Sequence, residues 1–326
     1  MSARRALITG ITGQDGSLLA DLLVDAGYEV HGVLRADRDP DAPLGHIEHL
    51  RGRVALDAVD LTDDAGISAL VAKVTPDELF HLGAVSVVAR SWEEPLFVAS
   101  VNGLAPVRFL EAVRTHSPDT HICFASSCEV FGASTEVPQR EDTPLRPRSP
   151  YGAAKAYAQQ MVAMTRARYG LHASSAILYN HEGPRRGPNF VTRRVTRGVA
   201  AIALGLERTL TVGNLDARRD WGRADDYVDA MRRIVAASEP TDYILATGTS
   251  HSVRELVELA FAHVDVEMEG RIVVDPALVR ADDGVQLLGD PTKARERLGW
   301  EPRRDFAALV GEMVDADLAE LRAGTA

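Results

Sequence analysis

The chain has 326 residues, of which 45% are hydrophobic, and it carries a formal net charge of -11 at pH 7. This length and composition are typical of a globular protein with one large domain or two closely joined domains. The acidic balance argues against a nucleic-acid partner, because such binding depends on clustered Lys and Arg. Any nucleotide that the protein binds is therefore expected to be small.

The N-terminal segment MSARRALITG leads directly into an apolar pattern typical of a strand. It lacks the apolar core of a secretory signal, and we expect no apolar run long enough to span a bilayer. These features predict a cytoplasmic protein without a membrane partner. Cys123 and Cys128 have neither the pattern of a disulfide framework nor metal-ligand spacing, so we expect reduced thiols and no metal.

Short apolar runs alternate with longer helical patterns in the first half of the chain, which is typical of repeated β-α-β units around a parallel sheet. The apolar runs predict strands at Arg5–Gly10, Glu29–Leu34, Val54–Asp60, Glu78–Leu82, His121–Ser126 and His172–Tyr179. The spacing of apolar residues predicts helices at Asp15–Ala26, Thr62–Val74, Val98–Thr115 and Pro150–Tyr169.

After Asn180 the chain becomes rich in Arg, Pro and Gly, which is typical of turns and of a domain boundary. Further elements are predicted near Asp226–Ala237 (helix), Tyr243–Ala246 (strand), Val253–His263 (helix) and Phe306–Leu321 (helix). We therefore predict an α/β protein with a Rossmann-type doubly wound parallel sheet in residues 1–179 and about 215–247. A smaller, discontinuous substrate domain is expected in about 180–214 and 248–326.

The segment ALITGITGQDGSLLADLL places Gly10, Gly13 and Gly16 between the first predicted strand and helix. Glycines allow a sharp turn there and let backbone N–H groups approach a pyrophosphate at the helix N-terminus. This context favours a dinucleotide site over a turn that binds nothing. Arg35, after the second strand, favours a 2′-phosphate and thus NADP, while the acidic neighbour Asp37 keeps NAD as the less favoured alternative.

Candidate catalytic groups lie in two nearby segments. Tyr151 and Lys155 are four residues apart in SPYGAAKAYAQQ, so both project from one face of a helix. An ammonium and an oxidised nicotinamide close by would stabilise the Tyr151 phenolate, so that it could accept a proton. Ser127, Cys128 and Glu129 follow the fifth predicted strand, at the edge of the sheet where ligands bind.

Arginines are clustered in the second half of this otherwise acidic chain. Forked guanidinium groups suit a nucleoside diphosphate, although a solvated or ion-paired surface is the alternative. The cluster consists of Arg185, Arg186, Arg193, Arg194, Arg218 and Arg219.

These motifs together resemble those of the extended short-chain dehydrogenase/reductases, and the chain is similar to the GDP-mannose 4,6-dehydratase family over nearly its whole length. The resemblance rests on ALITGITGQDGSLLADLL, DLTD, HLGA, PRSPYGAAKAYA, NHEGPRRGPNFVTRR, GNLDARRDWGRADDYVDAM, ILATGTSHSVREL and LLGDPTKARERLGWEP. It implies a nucleotide-sugar substrate, either GDP-mannose or a close GDP-sugar such as a GDP-heptose. The implied reaction is oxidation at C4, elimination of water across C5 and C6, and hydride return to C6, which gives a 4-keto-6-deoxy sugar.

The resemblance also implies residue roles. Ser127, usually Thr in the family, would bond the sugar 4-hydroxyl, and Glu129 would remove the C5 proton. The implied cofactor-binding residues are Gly10, Thr12, Gly13, Gln14, Asp15, Gly16, Arg35, Asp60, Leu61, Leu82, Gly83, Ala84, Ser86, Tyr151, Lys155, His181 and Arg186. The implied substrate-binding residues are Asn180, Arg194, Arg219, Arg280 and Asp283.

The chain departs from the family pattern at four places. Cys128 replaces a Ser, so the thiol is either an acid at C6 or a packing group. The segment VSVVARSW lacks the polar residues that family members often have there, and Phe97 replaces a Tyr that contacts the cofactor. The loop after Arg35 lacks the Arg-Ser-Ser run that reaches a neighbouring subunit. A homodimer through the helices at Val98–Thr115 and Pro150–Tyr169 is therefore favoured over a homotetramer.

Three other functions stay open from the sequence. They are a GDP-4-keto-6-deoxy-sugar reductase or epimerase, a 5,6-dehydratase that releases an unsaturated sugar, and a non-catalytic NADP-binding module. The segments NHEGPRRG and RRDWG favour the dehydratase over the reductase. A binding module would not need the catalytic groups together.

Overall fold

The computed structural model describes residues 3–39, 42–279 and 286–324. Within these ranges the strands are β1 (Arg5–Thr9), β2 (Glu29–Leu34), β3 (Ala55–Ala58), β4 (Glu78–His81), β5 (His121–Ala125), β6 (Ala173–Leu178), β7 (Asn180–Glu182), β8 (Leu210–Val212), β9 (Arg218–Arg223), β10 (Tyr243–Leu245), β11 (Ser250–Ser252) and β12 (Ile272–Val274).

The α-helices of the same ranges are α1 (Gln14–Asp25), α2 (Asp64–Val74), α3 (Arg90–Glu93), α4 (Pro95–Val98), α5 (Ala105–His116), α6 (Pro150–Tyr169), α7 (Val191–Ala203), α8 (Ala224–Ala236), α9 (Val253–His263), α10 (Thr292–Leu298) and α11 (Phe306–Gly324). Short 3₁₀ turns lie at Gly45–Leu50, Cys128–Val130 and Pro276–Leu278, and a π-helical segment at Ala99–Leu104 joins α4 to α5.

The described strands include a seven-stranded parallel sheet with the order β10-β6-β5-β4-β1-β2-β3. The chain runs outward from β1 through β2 to β3 and then returns to β4 on the other side of β1. The strand order therefore reverses between β1 and β4. In doubly wound sheets, ligands bind at the carboxyl ends of the strands beside such a reversal.

Helices cover both faces of this sheet. On one face, α1 and α8 pack together and share an apolar core that includes Leu19, Leu23 and Met231. On the other face, α2, α5 and α6 bury residues such as Val71, Phe109 and Val162. A strand that is buried on both faces consists of consecutive apolar residues, so these strands are easily recognised in the sequence.

A separate apolar cluster unites α7, α9 and α11 near β8 and β9. The ring of Trp221 stacks on Phe306 there, with ring centroids 5.4 Å apart. Arg193 of α7 donates hydrogen bonds to Asp317 at 2.5 Å and Glu320 at 2.6 Å on α11, so a buried ion pair with Asp317 and a more exposed one with Glu320 also join the two helices. Strand β9 pairs with β7 and β11, which places this region beside the carboxyl edge of the main sheet.

The structure confirms the predicted α/β class and all seven predicted strands, and α6 and α9 have the predicted bounds. The expectation of turns in NHEGPRRGPNF is confirmed for residues 184–186 and 188–190, whereas its first three residues form β7. The helix α7, which follows at Val191–Ala203, was not predicted. The division into two discontinuous domains stays a prediction.

One described helical stretch, Pro95–His116, has the length and composition of a membrane span, with a mean hydropathy of 1.4 in its most apolar window. The sequence analysis did not expect such a segment. In the fold, 56% of that window is buried. The stretch packs against α2 and α6. Its apolar character is therefore explained by its position in the core of the fold.

Candidate active site

Glycines allow the turn after β1 to approach its neighbours closely. Gly10 has a φ of +72°, and a Cβ atom there would lie 2.9 Å from the backbone nitrogen of Gly83. A Cβ at Gly16 would lie 2.2 Å from the carbonyl oxygen of Gly10, so no side chain fits between the turn and the first turn of α1. The predicted dinucleotide turn is thus a backbone cradle between β1 and β4.

The N-terminus of α1 opens onto this cradle. Its N-cap residue is Gly13, which provides no side-chain oxygen to the first N–H groups of the helix. Unpaired N–H groups at a helix N-terminus attract phosphate. The cradle and the uncapped helix therefore fit the pyrophosphate of a dinucleotide.

Two buried polar side chains that the sequence analysis missed hold the segment after β4. The hydroxyl of Thr9 accepts hydrogen bonds from the backbone N–H groups of Leu82 and Gly83 at 3.0 and 2.9 Å. Asn102 accepts from Val85 N at 2.8 Å and donates to Val85 O at 3.0 Å. An Asn within an apolar helix pattern is the sequence signal that could have identified this role. The backbone of Leu82, Gly83 and Val85, in the predicted cofactor segment, is therefore held by these two side chains.

The residues predicted for the adenosine end lie at the ends of β2 and β3. Arg35 is exposed and donates to both carboxylate oxygens of Asp37, at 2.9 and 2.5 Å. Asp60 accepts from the backbone N–H and hydroxyl of Thr62, both at 2.8 Å, and Leu61 follows beside Gly83. Asp37 occupies two of the five N–H donors of the exposed Arg35 guanidinium and competes with a 2′-phosphate for its charge.

The predicted catalytic groups meet where the turn after β5 contacts α6. Ser127 caps the 3₁₀ turn, accepting from the Glu129 N–H at 3.3 Å. Gly152 of α6 packs on this turn, because a Cβ there would lie 2.6 Å from the carbonyl oxygen of Glu129. Tyr151, the neighbour of Gly152, is thereby brought next to Ser127 and Glu129. In the sequence, a glycine directly after the tyrosine indicates that the helix can approach a neighbouring segment closely at this point.

The Tyr151 side chain is almost fully buried at this contact. Burial raises the pKa of the phenol, the Ser127 hydroxyl opposes this rise, and the Glu129 carboxylate adds to it. The Arg186 guanidinium lowers the pKa to a smaller extent. Tyr151 is thus a neutral phenol in this environment and would need a bound cation to act as a base.

Lys155 lies one helical turn further along α6 and is also buried. Its ammonium donates a 2.7 Å hydrogen bond to the carbonyl oxygen of Ala125 and lies 4.9 Å from the Phe124 ring centroid. Burial lowers the pKa of Lys155 to about 7. No carboxylate within the described residues pairs with this ammonium, so its charge is poorly compensated in the protein alone.

Cys128 is buried within the turn that carries Ser127 and Glu129. It is 5% exposed and packs in an apolar cluster that includes Tyr179, Ile177 and Ile244. Burial raises the pKa of its thiol, and the Glu129 carboxylate adds to that rise. The thiol therefore stays protonated at neutral pH.

The residues after β6 complete the site on the other side of the glycine turn. His181 Nε2 lies 2.9 Å from Asp15 Oδ2. Arg186 pairs with Glu182 at 2.9 Å and stacks over the ring of Phe190, 3.5 Å from its centroid.

Some arginines of the predicted cluster pair with carboxylates of the protein, and others are exposed. Arg185 pairs with Asp21, and Arg193 pairs with Asp317 and Glu320. The prediction that the whole cluster meets a diphosphate is therefore wrong for these two arginines. Arg194 is exposed on α7. Arg219 lies on β9 close enough to Cys128 to lower the pKa of its thiol, and Asn180 begins β7 beside it. Arg280 and Asp283 lie outside the described residues.

Comparisons with known proteins agree with this geometry. The sequence profile of the family described as GDP-mannose 4,6 dehydratase matches residues 7–313. The human GDP-mannose 4,6 dehydratase is 44% identical over 97% of this chain and 92% of its own length. The GDP-mannose 4,6-dehydratase of Vibrio cholerae serotype O1 is 41% identical over 98% of this chain and 95% of its own.

Among solved structures, the fold is similar to that of the Thermus thermophilus UDP-glucose 4-epimerase in complex with NAD. The TM-score is 0.82 and the identity 27%, over 96% of this chain and 98% of the epimerase. The likeness thus extends over the sheet and the region around α7, α9 and α11.

The buried ammonium of Lys155 leads to a prediction about stability. The unfolded chain keeps the ordinary lysine pKa of 10.5, whereas the fold lowers it to about 7. Between these values the unfolded state binds more protons, so the free energy of unfolding should rise with pH across this window. Lys155→Met should raise the free energy of unfolding at pH 7 by about 1–3 kcal/mol and remove that pH dependence, as measured by urea unfolding without cofactor.

Lys73→Met is the matched control, because Lys73 is 62% exposed and pairs with Asp57 at the surface. Its effect should stay within about 0.5 kcal/mol. A lower unfolding free energy for Lys155→Met would show instead that the fold compensates the buried ammonium well.

Proposed function

Because the chain belongs to the GDP-mannose 4,6-dehydratase family, we propose that it removes water from GDP-mannose, or from a close GDP-sugar, to give the 4-keto-6-deoxy sugar. The observation that carries this proposal is the meeting of Ser127, Glu129 and Tyr151 at the carboxyl edge of the sheet. The family match covers nearly the whole chain, including β9 and α7 on the substrate side.

The proposed site holds a nicotinamide dinucleotide. The glycine cradle and the uncapped N-terminus of α1 would hold its pyrophosphate. When bound, the nicotinamide supplies the acceptor and donor of a hydride for C4 and C6 of the sugar. The protein contributes binding, orientation and proton transfer.

Tyr151 and Ser127 would act at the sugar 4-hydroxyl. Ser127 would hold that hydroxyl by a hydrogen bond, and the Tyr151 oxygen would take its proton. Burial raises the pKa of Tyr151, so the phenol would need a nearby positive charge to act as a base. Lys155 lies one helical turn away without a carboxylate partner among the described residues, and its ammonium could supply that charge.

Glu129 would act at C5 once C4 is a ketone, because the ketone acidifies the neighbouring C–H bond. Glu129 lies on the 3₁₀ turn that Ser127 caps, so both groups could reach one sugar ring. We assign Cys128 a packing role rather than that of the C6 acid, since its side chain is buried in an apolar cluster. The proton that Glu129 takes from C5 would then be passed to the C6 hydroxyl, which leaves as water.

We favour NADP over NAD as the cofactor. The support is Arg35 at the end of β2, where a guanidinium suits a 2′-phosphate. The Arg35–Asp37 pair is exposed, and such pairs are weak, so a phosphate can compete for the guanidinium.

We also propose a homodimer through the helices on the α5 and α6 side. Large apolar side chains are exposed along this surface, with Leu96 86% exposed and Met164 54% exposed. The surface consists of Trp92, Leu96, Leu104, Tyr157 and Met164. Contiguous exposed apolar residues of this kind mark protein interfaces.

The substrate is tested by mass spectrometry after incubation with GDP-mannose, a GDP-heptose or UDP-N-acetylglucosamine. We expect the loss of one water from a GDP-sugar, with the product still reducible at C4. A stable 5,6-unsaturated product would favour the 5,6-dehydratase. Turnover only of a 4-keto-6-deoxy sugar would favour the reductase or epimerase, and no turnover of any sugar would overturn the enzymatic proposal.

The same assay tests the residue roles. Glu129→Gln should slow water loss about 10²- to 10⁴-fold, because the C5 base is removed while size is kept. Cys128→Ser should dehydrate nearly as fast as the natural protein if the thiol only packs. Glu93→Gln, on the exposed surface of α3, is the control. Normal dehydration by Glu129→Gln would remove Glu129 from the mechanism.

Arg35→Ala tests the cofactor assignment. It should weaken NADPH binding about tenfold or more, the value of a charge-assisted hydrogen bond, while NADH binding changes little. Arg53→Ala, another exposed arginine on this half of the chain, should change neither affinity. Fluorescence titration that showed equal losses for both dinucleotides would exclude Arg35 from the 2′-phosphate site.

Met164→Glu tests the dimer. It places a charge in the exposed surface of α6 and should convert the dimer to a monomer at micromolar concentration, as measured by analytical ultracentrifugation. Leu206→Glu is the control, because Leu206 is 49% exposed after α7, away from this surface. A natural chain that sediments as a monomer would contradict the proposal.

A further inference from the structure

A carboxylate lies at the helix end that is proposed to receive a pyrophosphate. Asp15 is in the first turn of α1, directly after the glycine cradle, and its side chain is 20% exposed. Solvent screens such a group only in part, so a free carboxylate there would repel an incoming pyrophosphate. The site therefore requires something that cancels this charge.

The side chain that meets Asp15 is His181. Its Nε2 lies 2.9 Å from Asp15 Oδ2, and its Nδ1 lies 2.7 Å from the carbonyl oxygen of Tyr179. A carbonyl oxygen and an ionised carboxylate can only accept, so both ring nitrogens must carry a proton. His181 is thus an imidazolium, and its charge and that of Asp15 sum to zero.

The surroundings of the pair favour this ionised form. Burial acts to lower the pKa of His181, but the charge and hydrogen bond of Asp15 leave it raised. Burial likewise acts to raise the pKa of Asp15, but His181 leaves it lowered. The Arg186 guanidinium adds to the lowering of the Asp15 pKa.

Neighbouring side chains fix the orientation of both partners. Gln14 donates to Asp15 Oδ1 at 3.0 Å and to the carbonyl oxygen of His181 at 3.1 Å. The ring of Tyr227 stacks under the imidazole, with centroids 4.8 Å apart and planes at 20°. Gly222, which pairs with His181 across β7 and β9, makes room for that ring, since a Cβ there would lie 2.4 Å from it.

We propose that His181 is the internal counter-ion of Asp15. The pair joins the phosphate-binding turn to β7 while it presents no net charge to the cofactor. This inference rests on the proposed function, because it concerns the same dinucleotide site. It differs from a direct contact between His181 and the cofactor, in which the imidazolium would add affinity whatever residue stands at position 15.

The charge balance predicts a suppressor relationship between two substitutions. His181→Gln leaves the Asp15 carboxylate without its counter-ion and should raise the dissociation constant of NADPH about 10- to 100-fold. Asp15→Asn alone removes the carboxylate that would repel the pyrophosphate, so its NADPH dissociation constant should be no higher than that of the natural protein. The double variant has two neutral amides and should recover an affinity within about threefold of the natural protein.

NADPH and NADH fluorescence titrations supply the dissociation constants, and thermal unfolding checks that each variant is folded. Failure of Asp15→Asn to restore binding in the His181→Gln background would overturn the inference in favour of a direct contact. His263→Gln is the control, because His263 pairs with Asp315 at 2.8 Å on α9 and α11. It should leave the affinity unchanged.

A second measurement does not depend on the variants. The ¹⁵N NMR shifts of the His181 ring in the cofactor-free protein should show both nitrogens mainly protonated at pH 6.5, where an imidazole with the ordinary pKa would be half neutral, and a mainly neutral tautomer would overturn the inference. A natural protein that bound neither dinucleotide would instead overturn the proposed function. The two failures are therefore distinguishable.

Discussion

The close contact between the first turn of α6 and the turn after β5 determines the geometry of the whole candidate site. Gly152 permits it, since a Cβ there would lie 2.6 Å from the carbonyl oxygen of Glu129 and 3.2 Å from Pro147. Residues on one face of α6 then contact successive parts of the carboxyl edge of the sheet. Tyr151 meets the turn, Lys155 bonds the last residue of β5, and Gln159 accepts from Ser126 at 2.6 Å. A shift of α6 would therefore move Tyr151 and Lys155 together, relative to Ser127 and Glu129 on the turn.

The sequence predicts the sheet well because its strands are buried on both faces and read as continuous apolar runs. It does not predict α7, for an equally physical reason. The partners that make α7 a helix of the core lie far along the chain. Arg193 bonds Asp317, which is 124 positions away, and a local window cannot show that this arginine is buried and paired.

The residues of the candidate site also differ in how well the sequence predicts them. Residues that lie at strand ends, such as Ser127 and Glu129, are predictable because parallel strands bring their carboxyl ends to one edge. Residues that hold backbone, such as Thr9 and Asn102, are harder to predict, because their partners are N–H and C=O groups that carry no sequence signal. The pairing of Arg35 with Asp37 could be anticipated from their spacing, but its bidentate geometry could not.

The site contains two kinds of buried charge, one that is paired within the protein and one that is not. Asp15 and His181 neutralise each other, so this part of the site is complete without a ligand. Lys155 bonds a carbonyl oxygen and lies over an aromatic ring, but it pairs with no carboxylate among the described residues, so burial of its charge lowers the stability of the protein. Uncompensated buried charges of this kind cluster at functional sites, where a ligand or a developing negative charge can pair with them. The protein thus keeps its charges balanced at the proposed phosphate site and leaves one unbalanced a helical turn from Tyr151, where the proposed chemistry creates an anion.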